Sequence, residues 1–114
     1  MFGNDYKARK DIPIWDGAVM YFPKAFREMA RVSMDGNEQH NPGEPLHDAR
    51  AKSTDDTDCL QRHLQDRGKW DEITTADGRK IPVRHSAAVA WRALRILQKE
   101  CEADGAPLAP GARL

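Results

Sequence analysis

The twenty residues from Val83 to Glu102, VRHSAAVAWRALRILQKECE, decide the fold. Apolar residues recur in this stretch at the spacing of an α-helix. They are Val83, Ala87, Ala90, Trp91, Leu94, Leu97 and Cys101. A second line runs along another side at spacings of four, three and four residues, and consists of His85, Val89, Arg92 and Ile96. A helix with two semi-apolar faces is expected between partners, either inside a bundle or across a subunit boundary.

Two more helices are predicted ahead of this one. Pro23 suits a first helical turn, because its missing N–H would be unpaired there anyway, and an apolar stripe follows it, so a helix is expected over about residues 22–39. Gly36 and Asn37 could instead end that helix early and leave Glu38 in a loop. Ser53 followed by Asp56 resembles a capping box, which predicts a helix over about residues 54–67.

The remaining segments are predicted to be extended or irregular. Asp77-Gly78 lies between two short β-prone runs, a strong hairpin signal, so a small hairpin is expected near 72–82. Residues 1–20 lack a helical period and are interpreted as an extended arm. Residues 41–52 contain two prolines and a glycine and predict a loop, while 104–114 predict a flexible tail. The expected architecture is a mainly all-α single domain spanning residues 1–114.

Composition excludes several classes of protein. A length of 114 residues and a mass of 12.9 kDa predict one domain. Eighteen basic and eighteen acidic residues give a net charge of zero, so the chain has no overall positive charge to attract nucleic acid. Apolar residues make up 39%, against roughly 45–50% in an average composition that also counts Gly, so a thin core and self-association are expected. No apolar run approaches membrane-spanning length and no signal peptide is evident, so a cytoplasmic protein is predicted. Cys59 and Cys101 are predicted to be reduced.

Acidic residues form two groups that could bind a metal. The first group is Glu28, Asp35 and Glu38, and the second is Asp55, Asp56 and Asp58. In a helix, residues three apart are neighbours, so each group can present two carboxylates on one face. Facing pairs would chelate Mg²⁺ or Mn²⁺, which prefer oxygen ligands. The alternatives are a solvated helix face for the first group and favourable helix-dipole positions for the second.

The order of short motifs resembles a known enzyme family. Acid-x-x-acid, sixteen residues, then acid-x-x-acid is similar to the E-x-x-E…E-x-x-D motif of MazG-like all-α nucleoside triphosphate pyrophosphohydrolases, with Asp replacing Glu at positions 35 and 55. A closer likeness is to small phage dATP/dGTP diphosphohydrolases of the MazZ type. The matching segments, in order, are KDIPIW (10–15), YFP (21–23), EMARV (28–32), GNE (36–38), DCLQRHL (58–64) and RHSAA (84–88). This chain departs from the pattern in lacking the N-terminal Gly-Lys and in having His40 where an aromatic residue is usual.

The resemblance implies a MazG-like helical bundle completed by homo-oligomerisation, as a dimer or tetramer, in the cytoplasm (the host cytoplasm if viral). It implies hydrolysis of a purine (deoxy)nucleoside triphosphate to the monophosphate and pyrophosphate with two or more Mg²⁺ or Mn²⁺ ions. Glu38 and Asp58 are the expected catalytic residues. The expected metal ligands are Asp35, Glu38, Asp55, Asp58 and Glu28. The expected substrate-binding residues are Trp15, Lys10, Arg62, His63, Lys69, Arg84 and His85.

Several of these residues have plainer interpretations. Arg62, Arg84 and Lys69 could be surface cations, His63 could be a hydrogen-bonded core residue, and His85 could bridge helices. Two rival functions also remain. His47-Asp48 could belong to a metal phosphohydrolase of another type. The basic row of the third predicted helix could instead bind DNA, and comprises Arg84, Arg92, Arg95 and Lys99.

Overall fold

A computed structural model describes residues 6–114. The helices are α1 (Tyr6–Asp11), α2 (Pro23–His40), α3 (Asp56–Gln65) and α4 (His85–Ala103), with a π-helical turn at Trp15–Val19 and a 3-10 turn at Arg50–Lys52. The strands are β1 (Asp48–Ala49), β2 (Trp70–Thr74), β3 (Lys80–Arg84) and β4 (Ala112–Arg113). Helices hold 56% of the described residues, so the mainly α-helical prediction is confirmed.

Helix α2 continues through the two residues that could have ended it. Gly36 and Asn37 are both helical, and the N–H of Asn41 donates to the carbonyl of Asn37 over 2.7 Å. The Asn37 side chain donates to the carbonyl of Glu44 over 3.0 Å, which ties the following loop to the helix end. Glu38 is therefore a helical residue.

Helix α3 begins without the predicted capping box. The N-cap residue is Asp55, whose side chain makes no capping hydrogen bond. Ser53 Oγ instead accepts a hydrogen bond from Arg92 over 2.6 Å, and the Asp56 carboxylate turns towards α4. The capping prediction was wrong because both side chains have tertiary partners.

The hairpin forms where Asp77-Gly78 predicted it, and is slightly longer than predicted. Strands β2 and β3 pair antiparallel from Trp70↔Arg84 to Thr74↔Lys80. Gly78 has φ +87°, a conformation that glycine adopts without strain. Since β3 leads directly into α4, the hairpin also determines where α4 begins.

The two ends of the chain differ from their predictions. Residues 1–5 lie outside the described part, and residues 6–20 are largely helical, in α1 and the π-helical turn, rather than extended. The tail is held in place, because β4 pairs parallel with β1 in the register Asp48↔Ala112 and Ala49↔Arg113. Ala112 is buried, so the prediction of a flexible tail is corrected.

A charge network between α3 and α4 surrounds Asp56. Its carboxylate accepts hydrogen bonds from Arg95 over 2.7 Å, Arg92 over 2.8 Å and Lys99 over 3.0 Å. Only 7% of the Asp56 side chain and 2% of the Arg95 side chain are exposed. Burial alone would raise the pKa of Asp56, but the three cationic donors outweigh it and lower this pKa to about 2.

The same network reaches the loop and the tail. Arg95 also donates to both carboxylate oxygens of Asp48, over 3.1 and 3.0 Å. Arg50 bridges Asp48 and Glu102, with bonds of 2.7 Å to each. Glu102 further accepts from the backbone N–H of Ala109 over 3.0 Å, so one chain of contacts joins α3, α4, β1 and the tail.

The apolar core is small. Among residues 9–114 the buried hydrophobic residues are Val83, Ala87 and Ala112, and no large side chain is fully buried. More polar residues than apolar ones are buried, with Asp56 and Arg95 among them. The charge network therefore occupies much of the interior that a larger core would fill.

Replacing Asp56 by Ala should lower the free energy of unfolding by about 3–5 kcal/mol, because it leaves the buried Arg95 without its closest partner. Urea unfolding followed by circular dichroism measures the change. Asp58→Ala, two residues away and exposed, is the matched control and should stay within about 0.5 kcal/mol of the native chain. Equal effects of the two substitutions would contradict this account.

Candidate functional site

Three polar side chains from three elements meet beside the hairpin. His63 lies in the last turn of α3, Asp71 in β2 and His85 at the first position of α4. A turn at Gly68 (φ +84°) leads from α3 towards β2, and the N–H of His85 donates to the carbonyl of Lys69 over 3.2 Å. The hairpin thus brings the start of α4 back to the end of α3.

The two imidazoles are in direct contact. Their Nδ1 atoms are 2.8 Å apart, and Asp71 Oδ2 lies 3.9 Å from His85 Nδ1. A short contact between two Nδ1 atoms needs one proton between them, so one ring donates and the other accepts. All three donor atoms lie within 4.8 Å of one another, close enough for the group to hold a metal ion.

Burial lowers the pKa of His63, and the electrostatic interaction with the neighbouring His85 lowers it further. Arg92 and Arg62 act in the same direction, whereas the Asp71 carboxylate opposes them. His63 is therefore neutral at pH 7, the state in which an imidazole nitrogen can bind a metal.

A surface cavity of about 1000 Å³ lies beside the histidines. His63, Asp71, Arg84, Trp91 and Arg92 contribute to its lining, together with the end of α2 and the loop that follows. The Arg84 guanidinium lies 4.4 Å from the ring centre of Trp70, and that of Arg92 lies 5.0 Å from the ring centre of Trp91. Arg92 is paired with Asp56, whereas Arg84 forms no ion pair among the described residues and so suits an anionic ligand.

The structure does not bring the two predicted acidic pairs together within one chain. Among residues 6–114, the group His63, Asp71 and His85 is the only set of three or more potential ligands close enough to share one ion. Asp35 and Glu38 are both in α2, but Asp35 is 3% exposed whereas Glu38 is exposed. The prediction of facing acidic pairs around a cation is thus not met by a single copy.

The other predicted acidic ligands lie at the surface or close to it. The Asp55 carboxylate accepts hydrogen bonds from Arg62 over 3.2 Å and from Cys59 over 3.4 Å. Both contacts lower the pKa of Asp55, and the contact with Cys59 has the larger effect. Asp58 is exposed and has no ion pair or hydrogen bond from its side chain among the described residues. Glu28 is half-buried and pairs with Arg31 at 3.5 Å.

Of the predicted substrate-binding residues, His63 and His85 contact each other, and Arg84 lies beside them at the cavity wall. Arg62 pairs with Asp55, and Lys69 pairs with Asp66 at 3.8 Å. Trp15 is 63% exposed and, like Lys10, does not line the cavity.

Asp71 is the residue that the sequence reasoning missed. Alternation along β2 gives the signal that could have found it, because Asp71 and Ile73 are the half-buried positions between exposed neighbours. A charged residue at an inward strand position needs a partner, and here His85 faces it.

Most residues of the two rival functions make contacts within the chain. His47 Nδ1 contacts the carbonyl of Pro45 at 2.6 Å, and Asp48 forms ion pairs with Arg50 and Arg95. On α4, Arg92, Arg95 and Lys99 all bind Asp56. Three of the four cations of the basic row are therefore paired within the chain, whereas Arg84 lies over the Trp70 ring.

No family model, curated protein or solved structure matches the chain. Among residues 6–114, none of the helices combines the length and the apolar character needed to span a bilayer. The residues and their geometry therefore carry the functional conclusion.

The stability of the protein should fall as pH drops below about 6.5, the ordinary histidine value, because unfolded His63 takes up a proton that the folded protein resists. His63→Gln removes this linkage, so the loss of stability between pH 7.5 and 5.5 should shrink. Urea unfolding at both pH values, in the presence of a chelator, measures it. His40→Gln, an exposed histidine on α2, is the control, and an unchanged pH dependence in His63→Gln would rule the linkage out.

Proposed function

We propose that the chain is a divalent-metal-dependent pyrophosphohydrolase of purine (deoxy)nucleoside triphosphates. Water would convert the triphosphate to the monophosphate and pyrophosphate, as in the MazG-like dATP/dGTP diphosphohydrolases that the sequence resembles. The proposal covers both this reaction and the folding of the chain as a MazG-like helical bundle.

The observation that carries the proposal is the state of Asp35. This carboxylate is 3% exposed, and its Oδ2 atom is buried without a hydrogen-bond partner among the described residues. A buried, unpaired carboxylate oxygen is costly and indicates a partner such as an ion. Asp35 stands at a metal-ligand position of the motif, one helical turn before Glu38, so the residue expected to bind a cation has an oxygen free to do so.

The donor set fits Mg²⁺ or Mn²⁺, which prefer carboxylate oxygens. Asp35, Glu38 and Glu28 on α2 would hold two or more ions together with Asp55 and Asp58 at the start of α3. Bound there, the ions would neutralise phosphate charge and polarise water.

Acidic side chains of the protein would accept the proton that the attacking water releases. A water oxygen forms a bond to the α-phosphorus, the bond from that phosphorus to the bridging oxygen breaks, and pyrophosphate leaves. Glu38 or Asp58 accepts the proton released by the water. Both side chains are exposed and unpaired among residues 6–114, so both are available to a substrate.

Cationic and aromatic side chains would bind the rest of the substrate. Arg84 lies at the cavity wall, and the cavity of about 1000 Å³ is at the upper end of the usual range for small-ligand sites. Arg62 and Lys69 are exposed enough to exchange their carboxylate partners for phosphate oxygens. Trp15 presents an exposed ring that can stack on a purine, and Lys10 lies on the same N-terminal segment.

A second copy would complete the site. The acids of α2 and α3 do not converge in one chain, and the exposed apolar residues include Leu94 and Leu97 on α4. The radius of gyration is 15.5 Å. A compact domain of this length has about 13 Å. These properties favour a homo-oligomer, a dimer or tetramer, in which a neighbouring copy supplies carboxylates and covers the apolar face.

Pyrophosphate release from dGTP, dATP, GTP and ATP tests the activity. We expect turnover with Mg²⁺ or Mn²⁺, and none after chelation. Glu38→Gln and Asp58→Asn should each lower kcat by about 100-fold or more while circular dichroism shows intact helices. Glu100→Gln, an exposed acid on α4, is the matched control. Full activity in both site variants would refute their assignment, and no pyrophosphate from any of the four nucleotides would refute the function.

Sedimentation velocity tests the assembly. The native chain should sediment as a dimer or tetramer, and Leu97→Arg should shift it towards monomer, because a charge on the apolar face opposes burial. Leu114→Arg, at a terminal residue that is 93% exposed, should leave the assembly unchanged. A native chain that stays monomeric at micromolar concentrations would contradict the proposal.

A further inference from the structure

We infer that His63, Asp71 and His85 form a second metal site, selective for a transition-metal dication such as Zn²⁺ and separate from the Mg²⁺ or Mn²⁺ carboxylates of α2 and α3. The atoms in closest contact are Nδ1 of each histidine and Oδ2 of Asp71, and we assign these as the ligand atoms. None of the three residues belongs to the acidic motif on which the proposed hydrolysis depends.

The donor atoms select the class of metal. Two imidazole nitrogens with one carboxylate suit Zn²⁺, Co²⁺, Ni²⁺ and Fe²⁺, whereas Mg²⁺ prefers oxygen ligands and keeps its waters. His63 is half-buried, as are His85 and Asp71, so the group is partly shielded from solvent.

The two contacts of His85 Nδ1 are close to the donor–donor distances around a bound ion. Metal–ligand bonds of about 2.0–2.2 Å hold neighbouring donor atoms roughly 2.9–3.5 Å apart. The two Nδ1 atoms are 2.8 Å apart and Asp71 Oδ2 is 3.9 Å from His85 Nδ1. The rings need to separate slightly and the carboxylate needs to approach by about 0.5 Å to reach that range. The Asp71 side chain is 41% exposed, which leaves it room to move.

Asp71 is already oriented for this task. Its Oδ1 atom accepts a hydrogen bond from the N–H of Glu72 over 2.8 Å, while Oδ2 faces His85. Holding one carboxylate oxygen fixes the direction of the other, as outer-shell contacts do for ligating carboxylates. If the two histidines only formed a hydrogen bond with each other, an oriented carboxylate beside them would not be needed.

The site has a route to solvent. His63 and Asp71 line the cavity, so an ion can enter from it. Three protein ligands leave at least one coordination position open, which water or an anion can take from the cavity side. A cation here also links α3, β2 and α4, so it should stabilise the attachment of the hairpin.

Isothermal titration of the full chain, stripped with chelator and then titrated with Zn²⁺, Co²⁺ or Mg²⁺ alone, tests the site. We expect one equivalent of Zn²⁺ or Co²⁺ per chain, a visible absorption band for the bound Co²⁺, and a higher Tm with Zn²⁺. Mg²⁺ should produce none of these changes at this site. His63→Ala, His85→Ala and Asp71→Asn should each weaken Zn²⁺ binding by about 10-fold or more.

The matched controls are His40→Ala and His47→Ala, which remove histidines outside the cluster and should leave Zn²⁺ affinity unchanged. Asp71→Asn preserves side-chain shape, so it tests the site even if a histidine variant fails to fold. Equal binding in the cluster variants and the native chain, or no binding by the native chain, overturns the inference. Glu38→Gln should retain Zn²⁺ binding, so loss of hydrolysis and loss of this site are distinguishable.

Discussion

The buried ion pair between Asp56 and Arg95 is the contact on which the rest of the structure depends. A chain whose buried apolar residues are one valine and two alanines among residues 9–114 cannot define the packing of its helices by core shape alone. Asp56 accepts three cationic donors from successive turns of α4, and Arg95 continues to Asp48 on the opposite side. A buried ion pair offsets the free-energy cost of removing its charges from water only when every partner is present. The network therefore specifies one alignment of α3 against α4.

That alignment also determines the candidate site. His63 lies two helical turns beyond Asp56 on α3, and His85 lies at the start of the helix that carries Arg95. The network therefore holds the two helices in the register that brings the imidazoles together, and the hairpin between them adds Asp71. Within one copy, no comparable network of contacts holds the acids of α2 against those of α3. The proposed hydrolytic centre is therefore assigned to an assembly of copies.

Local patterns predicted the elements well and their tertiary partners poorly. Helical spacing placed α2, α3 and α4 within a few residues, and Asp77-Gly78 located the hairpin, since both signals act over short distances. Arg92, Arg95 and Lys99 have the spacing of a solvated basic face, and nothing local shows that one distant aspartate binds all three. The tail was misjudged because two residues of parallel pairing are too short to leave a pattern. Asp35 was identified as a ligand candidate by the motif, but only the fold reveals its unpaired oxygen.

The pairing of β4 with β1 has a consequence for local opening. β1 lies near the middle of the described chain and β4 near its last residues, and the segment joining them contains α3, the hairpin and α4. The pairing involves two residues on each strand, so it can separate at a lower free energy than the packing of α3 on α4. The β1 edge can therefore become exposed in a partly opened molecule whose helices are still in place.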